Sequence, residues 1–216
     1  ETSLDSEQKE FLQTALSSAD RLLQILRDLL TLTELESSNL RLAEEPCHIE
    51  QVIETTLAPL RQAATAKGLA LSWEKPQPPT PALLCDPGRL GLVVRHLVDN
   101  AIKFTRSGGT VTVRLWRNQA DDTVRLVVRD TGAGIPPHDL PHIFDRFYRG
   151  DKVRQRDRKT GGTGLGLAIC QSIIEAHHGR IEVESVVERG TTMTVIMPVS
   201  GTGVSVTEAE STKLLV

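Results

Sequence analysis

Three short runs carry side chains and backbone suited to a phosphorylated ligand. In H-L-V-D-N-A-I-K-F-T (96–105), His96, Asn100, Lys103 and Phe104 are spaced four, three and one apart, which on an α-helix places them on one face. An imidazole and a carboxamide oxygen there could hold a hydrated Mg²⁺, which needs only one or two protein ligands beside substrate phosphates. Lys103 would add a point charge for the same phosphates. The spacing also suits an ordinary polar helix face. In D-T-G-A-G-I-P (130–136), Asp130 ends an apolar run, and a carboxylate at a strand end can accept a hydrogen bond from an exocyclic amine. Gly132 and Gly134 allow close backbone approach, although a lone D-x-G-x-G occurs in many turns. In G-G-T-G-L-G-L (161–167), four glycines cluster where an apolar helix starts, and the first N–H groups and dipole of such a helix favour an anion. No G-K-[ST] follows, so this is not a P-loop, and a long loop rather than a strand precedes it. Four glycines there are costly as mere scaffolding, which favours a functional role.

The elements that must position these runs read as follows. Residues 5 to about 36 form one long amphipathic helix, with Phe11, Leu12, Leu16, Leu22, Leu23, Leu26, Leu29, Leu30 and Leu32 recurring mostly at spacings of three and four and no Pro or Gly inside. A helix of this length pairs with others in a bundle or coiled coil, or serves as a core helix of the same domain. Ser37 to Pro46 punctuates; a second helix runs from about 48 to 67 and stops at Gly68. Leu69–Trp73 alternates like a strand, a Pro-rich loop follows over 76–81, and a third helix spans about 87–104 with Asp86 as cap and Pro87 in its first turn. Thr110–Arg117 and Thr123–Asp130 read as a hairpin, 131–162 as a long lid-like connection, and about 164–177 as a helix. A last hairpin pairs Arg180–Ser185 with Thr191–Pro198, and the tail after Ser200 is small and polar. The pattern predicts a two-layer α/β sandwich of the α+β class, a mixed sheet under helices.

Bulk composition narrows the partners. The chain has 216 residues, 39% apolar and 25% charged, with a formal net charge of −3, which fits an ordinary globular protein and disfavours nucleic acid as the main partner. Cys47, Cys85 and Cys170 are dispersed without C-x-x-C spacing, so reduced thiols are expected rather than a disulfide framework or structural zinc. No apolar run approaches the roughly 20 residues of a bilayer span, and no signal peptide is visible. The first residue is Glu1, so a piece of a longer protein is expected, cytoplasmic in location, whose parent could be membrane-anchored.

Taken together and in this order, the motifs closely resemble the Bergerat-type ATP-binding domain shared by sensor histidine kinases, gyrase-type ATPases and chaperone ATPases, and most closely its histidine-kinase branch. N-A-I-K-F-T (100–105) resembles that family's N box, D-T-G-A-G-I (130–135) its first glycine box, I-F-D-R-F-Y-R (143–149) its phenylalanine box and G-G-T-G-L-G-L (161–167) its second glycine box. The resemblance implies ATP and Mg²⁺ as cofactors, with Asn100 on the metal, Lys103 on phosphate and Phe104 against the adenine. It implies Asp130 on adenine N6, Gly132 and Gly134 at the lid hinge beside Ile135, and Phe144, Phe147 and Tyr148 as lid anchors. Arg146 or Arg149 would reach the γ-phosphate, the backbone of Gly162, Thr163, Gly164, Leu165, Gly166 and Leu167 would cradle the phosphates, and the Thr191 hydroxyl would support Asp130. His96 stands where the family most often has Asn and is assigned with Asn100 and Lys103 to the catalytic group.

The N-terminal helix, with D-L-L-T-L-T-E-L-E-S (28–37), resembles the second helix of the family's dimerisation and histidine-phosphotransfer hairpin. The implied division is 1–43 for that helix and linker, 44–199 for the catalytic ATP-binding domain and 200–216 for a flexible tail. The implied reaction transfers the ATP γ-phosphoryl to a histidine, with a response regulator and a second copy of the parent kinase as partners. The family's acceptor histidine is followed by an acidic residue and a proline; His48, His96, His138, His142, His177 and His178 lack that setting, so the acceptor is expected outside this chain. Arg154, Arg156, Arg158 and Lys159 would close with the lid over the triphosphate. The alternatives are an ATPase of the gyrase or chaperone type, which uses a carboxylate at the position His96 occupies, and a non-catalytic nucleotide-binding scaffold.

Overall fold

The computed structural model describes residues 5–36, 42–150 and 162–199. The expectations that fall on Ser37 to Asn39, on Arg154, Arg156, Arg158, Lys159 and Gly161, and on the tail from 200 lie outside these residues.

Helix α1 (Ser6–Glu36) starts on a reciprocal cap, in which Asp5 Oδ1 accepts from Gln8 N at 2.8 Å and Gln8 Oε1 accepts from Asp5 N at 3.1 Å. Its leucines divide: Leu32 is buried in the core and Leu35 packs against it, while Phe11, Leu16, Leu22, Leu26 and Leu30 stay exposed. Only the C-terminal part of the helix therefore belongs to the main core.

Helix α2 (Ile49–Ala66) buries Ile49, Ile53, Leu57, Leu60 and Ala64 at the three-and-four spacing of a single stripe. Helix α3 (Pro87–Phe104) buries Leu90, Val93, Val94, Leu97, Val98, Ala101 and Ile102; Asp86 caps it by accepting from Arg89 N at 3.0 Å, with Pro87 in the first turn. Helix α4 (Gly166–Ala176) buries Ala168, Ile169, Cys170, Ile173 and Ile174. It begins two residues later than expected, because Thr163 Oγ1 takes the Leu165 N–H at 3.1 Å and keeps residues 163–165 in a turn.

Strand β1 (Glu45–Cys47) pairs antiparallel with β3 (Leu83–Cys85), a ribbon with no sequence signal, because three residues, one of them Pro46, show no alternation. Strands β2 (Ala70–Glu74), β4 (Thr110–Asn118), β5 (Thr123–Asp130), β6 (Arg180–Val186) and β7 (Gly190–Pro198) form a five-stranded sheet in the order β2-β4-β5-β7-β6. The β2–β4 pair is parallel and the others antiparallel, so the sheet is mixed. Registers Val113↔Val128 and Leu126↔Val195 align the inward residues of β4, β5 and β7. These face the stripes of α2, α3 and α4 in one continuous core. Each such fully buried aliphatic side chain contributes about 1.5–3 kcal/mol. Cys47, Cys85 and Cys170 are buried and in no disulfide.

The helix layer is also pinned by one polar contact. His177, at the end of α4, accepts from Asp86 N through Nε2 at 2.9 Å, and its Nδ1 lies 2.8 Å from Ile173 O. With Asp86 N–H as donor to Nε2, the imidazole proton sits on Nδ1 and is donated to that carbonyl. The start of α3 is thereby fixed to the end of α4.

Candidate nucleotide site

A cavity of about 1000 Å³ opens between α1, α3, the strand end at Asp130, the residues after Asp130 and the glycine-rich turn before α4. His96, Asn100, Lys103 and Phe104 all line it, as the helical spacing requires. Lys103 Nζ lies 5.0 Å from the Phe104 ring centroid, and Phe104 is 39% exposed at the rim. A residue that local pattern did not reveal holds this end of the helix. Lys67 Nζ donates to Ile102 O at 2.7 Å and Lys103 O at 2.6 Å, placing an ammonium on the negative end of the α3 dipole. Burial lowers the Lys67 pKa, and the nearby Lys103 charge lowers it further.

Asp130 is buried and also lines the cavity. Its Oδ1 accepts from Gly132 N at 2.8 Å and Thr191 N at 3.2 Å. Burial raises its pKa, and the two backbone hydrogen bonds oppose that rise. With Oδ1 engaged by backbone donors, Oδ2 is the acceptor left for a ligand amine. The residues after Asp130 fold back over α3: Ala133 N donates to Phe104 O at 3.2 Å. Gly134 has φ +66, and a Cβ there would collide with the Val186 carbonyl, so this position requires glycine.

The second glycine-rich turn meets the same helix face. A Cβ on Gly166 would stand 3.0 Å from His96 Nδ1, so the absence of a side chain lets the start of α4 approach the imidazole. Burial depresses the His96 pKa; the negative charge of Asp28 raises it in part, and Arg95 lowers it. His96 Nε2 is buried with no hydrogen-bond partner among the described residues. Asp28 itself, on α1, is 4% exposed and accepts from Thr163 Oγ1 at 2.9 Å and from Gln24 Nε2 at 2.6 Å. Asp28 carries no local signal of this role, since it lies 135 positions from its partner.

Of the remaining expected residues, Ile135, Tyr148, Arg149, Gly162, Thr163, Gly164, Leu167 and Thr191 line the cavity. Gly132 contributes its N–H to Asp130 without lining the cavity, Leu165 is fully buried beneath the turn, and Phe147 is 57% exposed. Tyr148 OH donates to Asp139 Oδ1 at 2.7 Å, which ties the segment after the 3₁₀ turn Leu140–His142 to the cavity edge. Among the described residues no group of three or more His, Cys, Asp or Glu could hold a metal ion. The donor set at Asn100 instead fits an ion that takes one protein oxygen and completes its shell with phosphate oxygens and water, as Mg²⁺ does.

Residues 85–201 match the family described as histidine kinase-, DNA gyrase B-, and HSP90-like ATPase. The chain is 33% identical over 196 residues to the circadian input-output histidine kinase CikA of Synechococcus elongatus, a match covering 90% of this chain and 26% of that protein. It is 33% identical over 190 residues to the sensor protein SrrB of Staphylococcus aureus, covering 88% of this chain and 32% of that one. The chain thus spans between a quarter and a third of the length of these relatives. Among solved structures, full-length ShkA in complex with AMPPNP superposes with a TM-score of 0.75 at 28% identity, over 94% of this chain and 41% of that one. The Acinetobacter baumannii histidine kinase AdeS has the same fold, with a TM-score of 0.71 at 24% identity over 92% of this chain and 87% of that one.

Proposed function

This chain belongs to the histidine kinase-, DNA gyrase B-, and HSP90-like ATPase family, and from that premise we propose that it is the catalytic region of a sensor histidine kinase, transferring the γ-phosphoryl of ATP to a histidine outside this chain. The observation that carries this reading is the convergence of the α3 face, Asp130 and the glycine-rich turn on one cavity of about 1000 Å³. Of the family's members, the histidine kinases are favoured because the position four before Asn100 holds His96 rather than a carboxylate able to activate water.

In this reading Asp130 Oδ2 accepts from the adenine amine and Thr191 supports the same edge. Phe104 packs on the base, and the backbone of Gly162 to Leu167 holds phosphate at the start of α4. Lys103 lies on the phosphates, and Arg149 stabilises charge developing on the transferred group. Asn100 would hold Mg²⁺, which when bound supplies neutralisation of the phosphate charge. His96, kept neutral by burial, is a polar neighbour of Asn100 one turn earlier. Residues 1–43 would form the helix and linker of a dimerisation hairpin, 44–199 the catalytic domain and 200–216 a tail. The exposed Phe11, Leu16, Leu22, Leu26 and Leu30 stripe supports pairing of α1 with other helices, in a homodimer of the parent kinase. A response regulator would take the phosphoryl group onward. A cytoplasmic location for the catalytic region belongs to the same proposal; no described helix is long and apolar enough to cross a membrane.

The test is to mix the chain with Mg-ATP and a separate hairpin bearing the acceptor histidine. Acid-labile phosphate on the hairpin, lost with Asn100→Ala, is the expected result. Steady ATP hydrolysis without an acceptor would favour the gyrase or chaperone type, and nucleotide binding with neither activity would favour a scaffold.

A further inference from the structure

We propose that Ser185 is a positioning residue that fixes the hydrogen-bonding sense of the base-binding wall, so that the cavity selects a nucleobase presenting an amine; this rests on the reading of the cavity as a nucleotide site. Ser185 is the penultimate residue of β6 and belongs to none of the motifs. Its Oγ meets three groups: it accepts from Ile135 N at 2.8 Å, donates to Gly190 O at 3.0 Å and lies 2.9 Å from Thr191 Oγ1.

A hydroxyl has one proton and two lone pairs. A carbonyl can only accept, so the Ser185 proton goes to Gly190 O. The Ile135 N–H fills one lone pair, and the other is filled when Thr191 donates its own proton to Ser185. Thr191 Oγ1 then faces the cavity with lone pairs alone. Asp130 is in the same condition, because Gly132 and Thr191 N–H groups occupy Oδ1 and the remaining oxygen only accepts. The two side chains that line this wall therefore both demand a donor. An exocyclic amine satisfies them directly or through water, whereas a ring carbonyl at the same place meets lone pairs. Without the Ser185 oxygen, Thr191 is free to turn its proton into the cavity and serve a carbonyl as well.

The same oxygen roots the segment that follows Asp130. Ile135 follows Gly134, and Glu188 N also donates to Ala133 O at 2.8 Å, so the end of β6 and the β6–β7 turn each hold this loop at one place. Ser185 is the member of that pair that also touches the base wall.

The experiment measures affinities of ATP and ITP, which differ by the exchange of the six-position amine for a carbonyl, on the full chain and on Ser185→Ala and Ser185→Thr. The native chain is expected to prefer ATP. Ser185→Ala should shrink the ATP-to-ITP ratio by about three- to tenfold, the worth of one hydrogen bond, while Ser185→Thr, which keeps the hydroxyl, restores it. A ratio unchanged in folded Ser185→Ala, or equal losses for both nucleotides, would overturn the inference and leave the nucleotide site standing. If the native chain binds neither nucleotide, both readings fall together.

Discussion

The carboxylate of Asp28, on the N-terminal helix, accepts a hydrogen bond at 2.9 Å from the hydroxyl of Thr163, in the glycine-rich turn that opens α4. This joins α1 to the end of the cavity proposed to hold phosphates, and it puts a buried negative charge beside a helix start that favours anions. Arg89 and Glu34 form a second tie at 2.7 Å between α3 and α1.

Replacing Asp28 separates two opposing effects. The lost hydrogen bond is worth about 0.5–1.5 kcal/mol, whereas removing one charge several ångströms from a phosphate relieves about 2 kcal/mol at intermediate dielectric. Repulsion wins by about 0.5–1.5 kcal/mol, so Asp28→Ala should bind ATP about two- to tenfold more tightly. Amide exchange in the C-terminal half of α1 should rise at the same time. Calorimetric titration and hydrogen exchange measure the two; weaker ATP binding would mean that the Thr163 contact matters more than the charge.

Asp130→Asn keeps an oxygen for the Gly132 and Thr191 N–H groups but turns an N–H₂ toward the base. ATP affinity should fall about ten- to a hundredfold, as for a hydrogen bond to a charged acceptor. In the native chain, burial raises the Asp130 pKa above 3.8. Acidification through that raised value protonates the acceptor and weakens ATP binding, while the same protonation relieves the cost of burying the charge. Affinity should therefore drop with falling pH over a range in which this group, by itself, makes the apo fold more stable, and Asp130→Asn should lack the drop.

His96 gives a pH effect of opposite sign on stability. Its pKa is depressed from 6.5 by burial, with Asp28 raising it and Arg95 lowering it. The unfolded chain then binds the proton more readily than the folded one, so this contribution is present above about 6.5 and is lost as pH falls through that value toward the depressed one. The melting temperature should decline on acidification from neutral pH, and His96→Gln should flatten that slope. A His96→Gln protein with an unaltered slope would assign the decline to other groups.

Lys67→Ala removes the ammonium from the last carbonyls of α3. Because the side chain is only partly buried, the loss in urea unfolding should be about 1 kcal/mol. ATP affinity should weaken too, because Lys103 and Phe104 sit on the turn that Lys67 holds. Lys67→Arg, which retains donors, should recover most of both.

Much of the helix layer and the central hairpin follows from local periodicity and chemistry alone. The stripe of α3, its Asp86 cap and the spacing of His96, Asn100, Lys103 and Phe104 all follow from residues within one helix, and the alternation of β4 and β5 follows from each strand alone. The order of the glycine-rich runs is visible in the sequence as well, although what each glycine makes room for, the Val186 carbonyl at Gly134 and His96 at Gly166, lies far away in the chain.

Other features arise only when residues far apart in the chain meet. The β1–β3 ribbon is too short to carry a period, and it exists because residues 45–47 and 83–85 are brought side by side. Lys67 reaches carbonyls 35 and 36 positions away, Ser185 meets Ile135 across 50, and Asp28 meets Thr163 across 135. A lysine, a serine or an aspartate has no pattern of its own along the chain. Its role is created when the core closes and turns one hydrogen-bonding group toward another.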